Sequence, residues 1–332
     1  MKVVLIALAF HLKNTRSSLF FIDILKKSFA DFYVVSDGDA WFEIPRLKPD
    51  LLIIWQKIYS LTELECFGIK NIVLVPMYDA CPHTEEFWNQ YKSYKIFCFS
   101  KTLFDFLYER SFQVYYAQYY NKPSIKNITK KSRLNVFYWE RSQLVTWTCI
   151  KALLGDMKID SLHYHTSSNI TEANRDRPSQ DDIIKYKISF SDWFETQKDY
   201  LKIVSDCPIY FAPRESEGIG LSFIEALSLG LCVVAPDAPT MNEYITNGIN
   251  GILYDPYKPH PISLSDIDHI RERALSIAKQ AYTQWLDAIP NIIDFIKRPL
   301  AAYKPHRHHW IFAKRYTRSV VRHIYKKMIK QE

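Results

Sequence analysis

Glycine is scarce in this chain, with eight residues in 332. Five of the eight, Gly218, Gly220, Gly230, Gly248 and Gly251, fall in one short stretch. Glycine serves where backbone must approach something closely or take a positive φ. Cysteine is thin as well: Cys66, Cys81, Cys98, Cys149, Cys207 and Cys232 are scattered and form no C-x-x-C pair. That spacing excludes a zinc or disulfide framework and leaves free thiols of a reducing compartment. No apolar run approaches the ~20 residues of a spanning helix. The opening MKVVLIALAF would need its cleavage site inside the apolar run to act as a secretory signal, so it reads as a buried first strand. No internal repeat of short period occurs.

Net charge is missing from most of the chain. From Lys304 onward nine Lys and Arg face one acid, Glu332, while the rest holds 34 basic against 35 acidic residues. The formal +7 is therefore a property of the tail. A body without net charge argues against a nucleic-acid partner. What the chain has in quantity is apolar and aromatic surface: 48% hydrophobic residues, including 22 Tyr and 20 Phe. That is enough for a sizeable core.

Apolar runs alternate with amphipathic ones. KVVLIALAF, DFYVVS, PDLLIIW, NIVLVP, KIFCFS and QVYYAQ read as strands, and SSLFFIDILKKSF and KTLFDFLYERS as helices. In the first helix Leu19, Ile22 and Leu25 recur on successive turns. Continuous apolar strands with helices between them predict a parallel sheet covered on both faces. The lysine-rich NKPSIKNITKKSR (121–133) reads as a linker. The alternation then resumes, with LNVFYW, SLHYHTSS, PIYFAP, CVVAP and GILYDP as strands. SQLVTWTCIKALLGDM and SDWFETQKDYLKIVSDC read as the first helices of this half. Expected domains are 1–125, 132–290 and a helical segment with the basic tail, 291–332.

The glycine cluster opens with PRESEGIGLSFIEALSLG (213–230), a strand end, a loop and a helix starting near Ser222. The first N–H groups of a helix lack internal partners, and glycines let a ligand come close, which together suit a phosphate. Glu217 and Glu225 could then accept hydrogen bonds from sugar hydroxyls. A plainer reading stands beside this one. Ser222-x-x-Glu225 fits a capping box, and Gly230 fits a helix C-terminus.

The run EGIGLSFIEALSLGLCVVAPDAPTMNEYITNGINGILYDP resembles glycosyltransferase family 4 of the GT-B fold. The match takes in Glu217, Gly218, Gly220, Leu221, Glu225, Ala226, Gly230, Glu243, Asn247, Gly248, Asn250 and Gly251. The resemblance implies two Rossmann-like domains facing across a cleft, with a basic C-terminal extension. It implies a hexosyltransferase-type enzyme moving a sugar from a UDP- or GDP-linked donor to an acceptor hydroxyl, with retention and without metal or cofactor. Glu217 would face the donor sugar and Glu225 the ribose. The backbone of Gly218, Ile219, Gly220, Leu221 and Ser222 would bind the diphosphate. Arg141, with Arg214, would supply the cation. The resembled pattern has glycine before that arginine and lysine about five residues after it; here Glu140 precedes it and the next lysine is Lys151.

His11, Lys13 and Arg16, in a loop after the first strand, and Asp79, with His83 beside it, are acceptor-side candidates. The tail from Trp310 alternates apolar and basic residues as a helix able to lie on an anionic membrane; the alternative is that it docks on the N-terminal domain. The expected setting is bacterial surface polysaccharide or lipopolysaccharide assembly at the inner face of the cytoplasmic membrane, with a glycan or lipid-linked acceptor. A degenerate GT-B protein that binds a glycan or partner is the rival function. Asp37-Gly-Asp39 is the rival metal-binding motif, and His163/His165 and HRHHW (306–310) are further candidate ligands.

Overall fold

The computed structural model describes residues 1–15, 17–124, 133–166, 175–299, 315–317 and 319–322. The chain divides into two units, residues 1–117 with 287–332 and residues 118–286. In the first, β1 (Lys2–Ala7), α1 (Leu19–Ser28), β2 (Asp31–Ser36), α2 (Ala40–Leu47), β3 (Leu51–Trp55) and α3 (Leu61–Cys66) are followed by β4 (Asn71–Val75), α4 (Glu85–Asn89), β5 (Lys95–Cys98), α5 (Lys101–Tyr108) and β6 (Gln113–Tyr116). All strand pairings are parallel, in the order β2-β1-β3-β4-β5-β6. LLIIW and NIVLV are buried at every position, as a sheet covered on both faces requires.

The second unit runs β7 (Asn135–Trp139), α6 (Trp147–Leu154), β8 (Ser161–His165), α7 (Gln180–Tyr186), β9 (Ile188–Ser191), α8 (Gln197–Val204), β10 (Ile209–Phe211), α9 (Leu221–Ser228), β11 (Cys232–Pro236), α10 (Met241–Tyr244) and β12 (Ile252–Tyr254). Its sheet, also parallel, has the order β12-β11-β10-β7-β8-β9. Both are doubly wound sheets. The strand order reverses between β1 and β3 in one and between β7 and β10 in the other. Ligands of such sheets bind beyond the carboxyl ends of the strands at that reversal.

The long α11 (Ile267–Lys297) follows β12. Its last turn is held by the buried Lys95, whose ammonium donates to the carbonyls of Phe295 and Ile296 at 3.3 and 2.6 Å and to that of Arg298. Burial pushes this ammonium down to about 8.

Several local expectations change. The helix expected from Ser142 starts only at Trp147, because Thr146 caps it and residues 142–145 are held as a loop. The helix expected from Ser191 starts at Gln197 behind its cap Thr196, and Ser191 ends β9. Leu19 is exposed, while α1 buries Ile22 and Leu25, as their spacing implies, together with Phe21. No capping box forms at Ser222: the helix N-cap is Gly220. Gly230 does end α9, with φ +73, and the N–H groups of Gly230 and Leu231 donate to Leu227 and Ala226.

Asp37 and Asp39 are held within the first unit. The Asp37 carboxylate accepts from the Ala9 N–H and pairs with Lys57 at 3.1 Å, and that of Asp39 accepts from Ser36. The two-sheet architecture also displaces the fold that a D-x-D metal site would require. The described tail residues seat on the first unit. Tyr316 stacks on Phe42, Arg315 pairs with Glu63 at 2.5 Å, and Ser319 accepts from the Phe42 N–H and donates to the Gly38 carbonyl. HRHHW and the rest of the tail lie outside the described residues.

Candidate functional site

The second unit's reversal point is built by two loops. The loop after β7 carries Arg141; the loop after β10 carries residues 212–220. Two parallel neighbours, β7 and β10, therefore deliver Arg141 and Glu217 to the same edge of the sheet. Arg141 lies over the Trp139 ring, 4.7 Å from its centroid. Among the described residues no carboxylate pairs with it. Glu140, standing where the resembled pattern has glycine, points inward. Its buried carboxylate pairs with Arg175 at 3.0 Å, and burial pushes it above its ordinary range.

Glu217 is buried and lies 3.8 Å from the guanidinium of Arg214. Its N–H donates to the Pro239 carbonyl, and Thr240 donates to the Ile219 carbonyl, so the loop after β11 supports this one from behind. Gly220 ends the loop at φ +81 and opens α9 with no side-chain cap. Among the described residues, no acceptor takes the backbone N–H groups of residues 218–223. A run of unpaired N–H groups at a helix start presents a positive field that suits an anion, and the helix dipole adds to it.

Glu225 sits one turn into α9 and its carboxylate accepts from Gln197 at 3.2 Å. Burial raises its pKa, and the Gln197 amide opposes the shift. It borders a pocket of about 340 Å³ shared with Lys122, Leu201 and Ser228. The rest of the glycine run is scaffold. Asn250 is buried, accepts from the Thr246 N–H and donates to the Tyr244 carbonyl, while Asn247 accepts from the Leu253 N–H. Glu243 sits in the short α10.

In the first unit the reversal point lies between β1 and β3. His11 and Lys13 stand in a π-helical turn, His11–Thr15, directly after β1. His11 Nδ1 lies 2.8 Å from the Thr15 hydroxyl, and Lys13 is exposed. Asp79 is on a 3-10 turn after β4, where Tyr78 stacks on His83. Arg16 lies outside the described residues. His163 and His165 face one side of β8, as their spacing implies, and both are engaged there. They reach Ser189 and Ser191 at 2.7–3.0 Å and stack on Phe137 and Phe194. Burial pushes His165 down to about 4. Sequence reasoning missed Ser142, Glu215, Gln197 and Thr240. Ser142 meets Glu215 across 73 residues of chain, Gln197 meets Glu225 across 28 and Thr240 meets Ile219 across 21, so no local pattern marks these contacts.

The family model described as glycosyl transferases group 1 matches residues 179–272, from α7 into α11. Across the whole chain, the likeness is to solved structures. HepE from Anabaena, in complex with UDP and glucose, superposes with a TM-score of 0.64 at 12% identity, covering 89% of this chain and 99% of that one. A glycosyltransferase from Rickettsia africae superposes at 0.65 and 12% identity, covering 89% and 97%. The fold is GT-B. At these identities the likeness carries the fold alone. No curated protein matches in sequence. In the GT-B fold described above, Arg141, Glu217 and the 218–223 backbone all belong to the second unit, and residues 214–225 lie inside the matched segment.

Proposed function

We propose that the protein is a retaining glycosyltransferase that moves a sugar from a nucleoside-diphosphate sugar to a hydroxyl acceptor. The observation that carries this is the row of unpaired N–H groups at residues 218–223, flanked by Glu217 and Arg141. The row would cradle the diphosphate, and Arg141 would stabilise the charge that develops on it as the sugar leaves. Glu217 would face the sugar side of that cradle, and Glu225 would take the ribose hydroxyls. This division calls for no metal ion, because N–H dipoles and a guanidinium supply the positive field. Retention also calls for no protein base on the acceptor. HepE, of similar fold, has been solved with UDP-glucose, which supports a UDP-linked donor as the first to test, with GDP-linked donors next.

His11, Lys13 and Asp79 are proposed acceptor contacts, because their loops leave the carboxyl edge of the first sheet. A glycan or lipid-linked glycan on an anionic membrane surface is the proposed acceptor setting. It is motivated by the +8 tail.

The test is turnover of UDP- and GDP-sugars by the full chain and by E217Q and R141A. Each variant should lose about 100-fold in kcat, the usual effect of removing one transition-state contact. Wild-type turnover by E217Q, or no donor bound by the parent, would sink the reading. One observation favours a second reading, a protein that binds donor without transfer. Thr146, where the resembled pattern has its lysine, is a helix cap whose hydroxyl accepts from the Cys149 N–H. That reading predicts nucleotide binding with no turnover of any donor.

A further inference from the structure

Two arginines and three glutamates stand in the loops at the second unit's reversal point, and one of the glutamates, Glu140, turns inward onto Arg175. Glu217 lies against Arg214. Glu215 lies against a different partner, the hydroxyl of Ser142, the residue directly after Arg141. Ser142 is buried, and its hydroxyl is fully used: it accepts from the N–H groups of Leu144 and Val145 at 3.0 and 3.3 Å and donates to Glu215. One oxygen thus closes the turn that delays α6 and joins two loops 73 residues apart in sequence.

We infer that Ser142 and Glu215 are positioning residues, whose bond fixes the Arg141 loop against the Glu217 loop. The inference rests on the roles given above to Arg141 and Glu217. The Glu140–Arg175 pair anchors the residue before Arg141 inward, and Tyr138 holds the Val145 carbonyl at 2.7 Å. Both fix the loop to its own half of the sheet. The contact of Arg141 with the Trp139 ring is broad and only weakly directional. Beyond the β7–β10 strand pairing, the Ser142–Glu215 bond ties the loop that leaves β7 to the loop that leaves β10. Arg141 and Glu217 act on opposite parts of one donor, so their separation must be set, and this bond sets it.

The test compares S142A, E215A, E215Q and S142A/E215A in the full chain, with R141A and E217Q alongside, reading kcat, donor KM and thermal midpoint. S142A and E215A should each lower kcat about 10-fold or more, with donor KM within about 2-fold, as expected when reacting groups shift rather than when binding is lost. The double variant should be no worse than either single, since both remove one bond. E215Q keeps an acceptor oxygen and should stay near the parent. Parent-like kcat in S142A and E215A, or an E215Q defect equal to that of E215A, would overturn the inference while leaving the transferase reading intact. Parent-like turnover by R141A and E217Q would overturn that reading and this inference with it.

Discussion

Gly220→Ala is the sharpest single perturbation of the anion cradle. Gly220 has φ +81, where a Cβ is strained, and this alone costs about 1 kcal/mol or somewhat more. The larger effect is steric. A Cβ on Gly220 would stand 1.8 Å from Cε1 of Phe223 and 2.5 Å from its Cδ1. Phe223 is fully buried and meets Tyr244 edge-on, so it has no room to retreat. Overpacking of that kind adds about 1–3 kcal/mol, for a total of about 2–4. Gly248→Ala is the control: its φ is +74, and a Cβ there would meet nothing within 4 Å, so it should cost only the backbone share, about 1 kcal/mol. Urea unfolding followed by tryptophan fluorescence measures both. Adding Phe223→Leu should relieve the clash, so G220A/F223L should be about 1–3 kcal/mol more stable than the sum of the singles. Because α9 must shift to admit the Cβ, donor kcat/KM in G220A should fall about 100-fold. A G220A cost no larger than that of G248A, together with an additive cycle, would refute the packing argument.

Two further outcomes follow. Burial raises the Glu225 pKa, so its ionised form is disfavoured by folding and the carboxyl binds its proton more tightly folded than unfolded. Stability from this group is therefore present below its ordinary range and lost as pH rises through the folded value. E225Q keeps a partner for Gln197, so it should melt above the parent at pH 7, match it near pH 4 and bind nucleotide more weakly. Equal melting at pH 7 would remove the burial argument. For the tail, the parent should sediment with vesicles containing phosphatidylserine and release at high salt, and K326E/K327E/K330E should not sediment; salt-independent sedimentation would refute an electrostatic role.

Much of the fold was legible because its signals are local. Runs such as LLIIW and NIVLV cannot be half-exposed strands, and both are fully buried. The glycine-lean composition likewise picked out Gly220, Gly230 and Gly248, which all take positive φ. Helix starts were less legible, because they depend on which polar side chain turns back on the backbone. Ser142 spends its hydroxyl on a loop, and the cap falls to Thr146. Asp37 and Asp39 were open to a metal reading in sequence, but their partners Ala9, Lys57 and Ser36 come from other elements or from the turn itself. The paired histidines show the reverse. Period-two spacing placed both on one face, yet only the sheet register revealed Ser189 and Ser191 opposite them.

The sequence by itself determined the parallel, helix-covered sheets of the chain, the gathering of its glycines at 218–251 and the concentration of charge in the tail. These follow from hydrophobic period, glycine placement and composition, which act over a few residues. The tertiary structure alone decided the rest. It turned Glu225 from a possible capping acid into a partner of Gln197 and buried Glu140 on Arg175. It also joined Ser142 to Glu215 across 73 residues of chain. Strand order is what brings β7 beside β10, and no local pattern encodes which parallel neighbour a strand will choose.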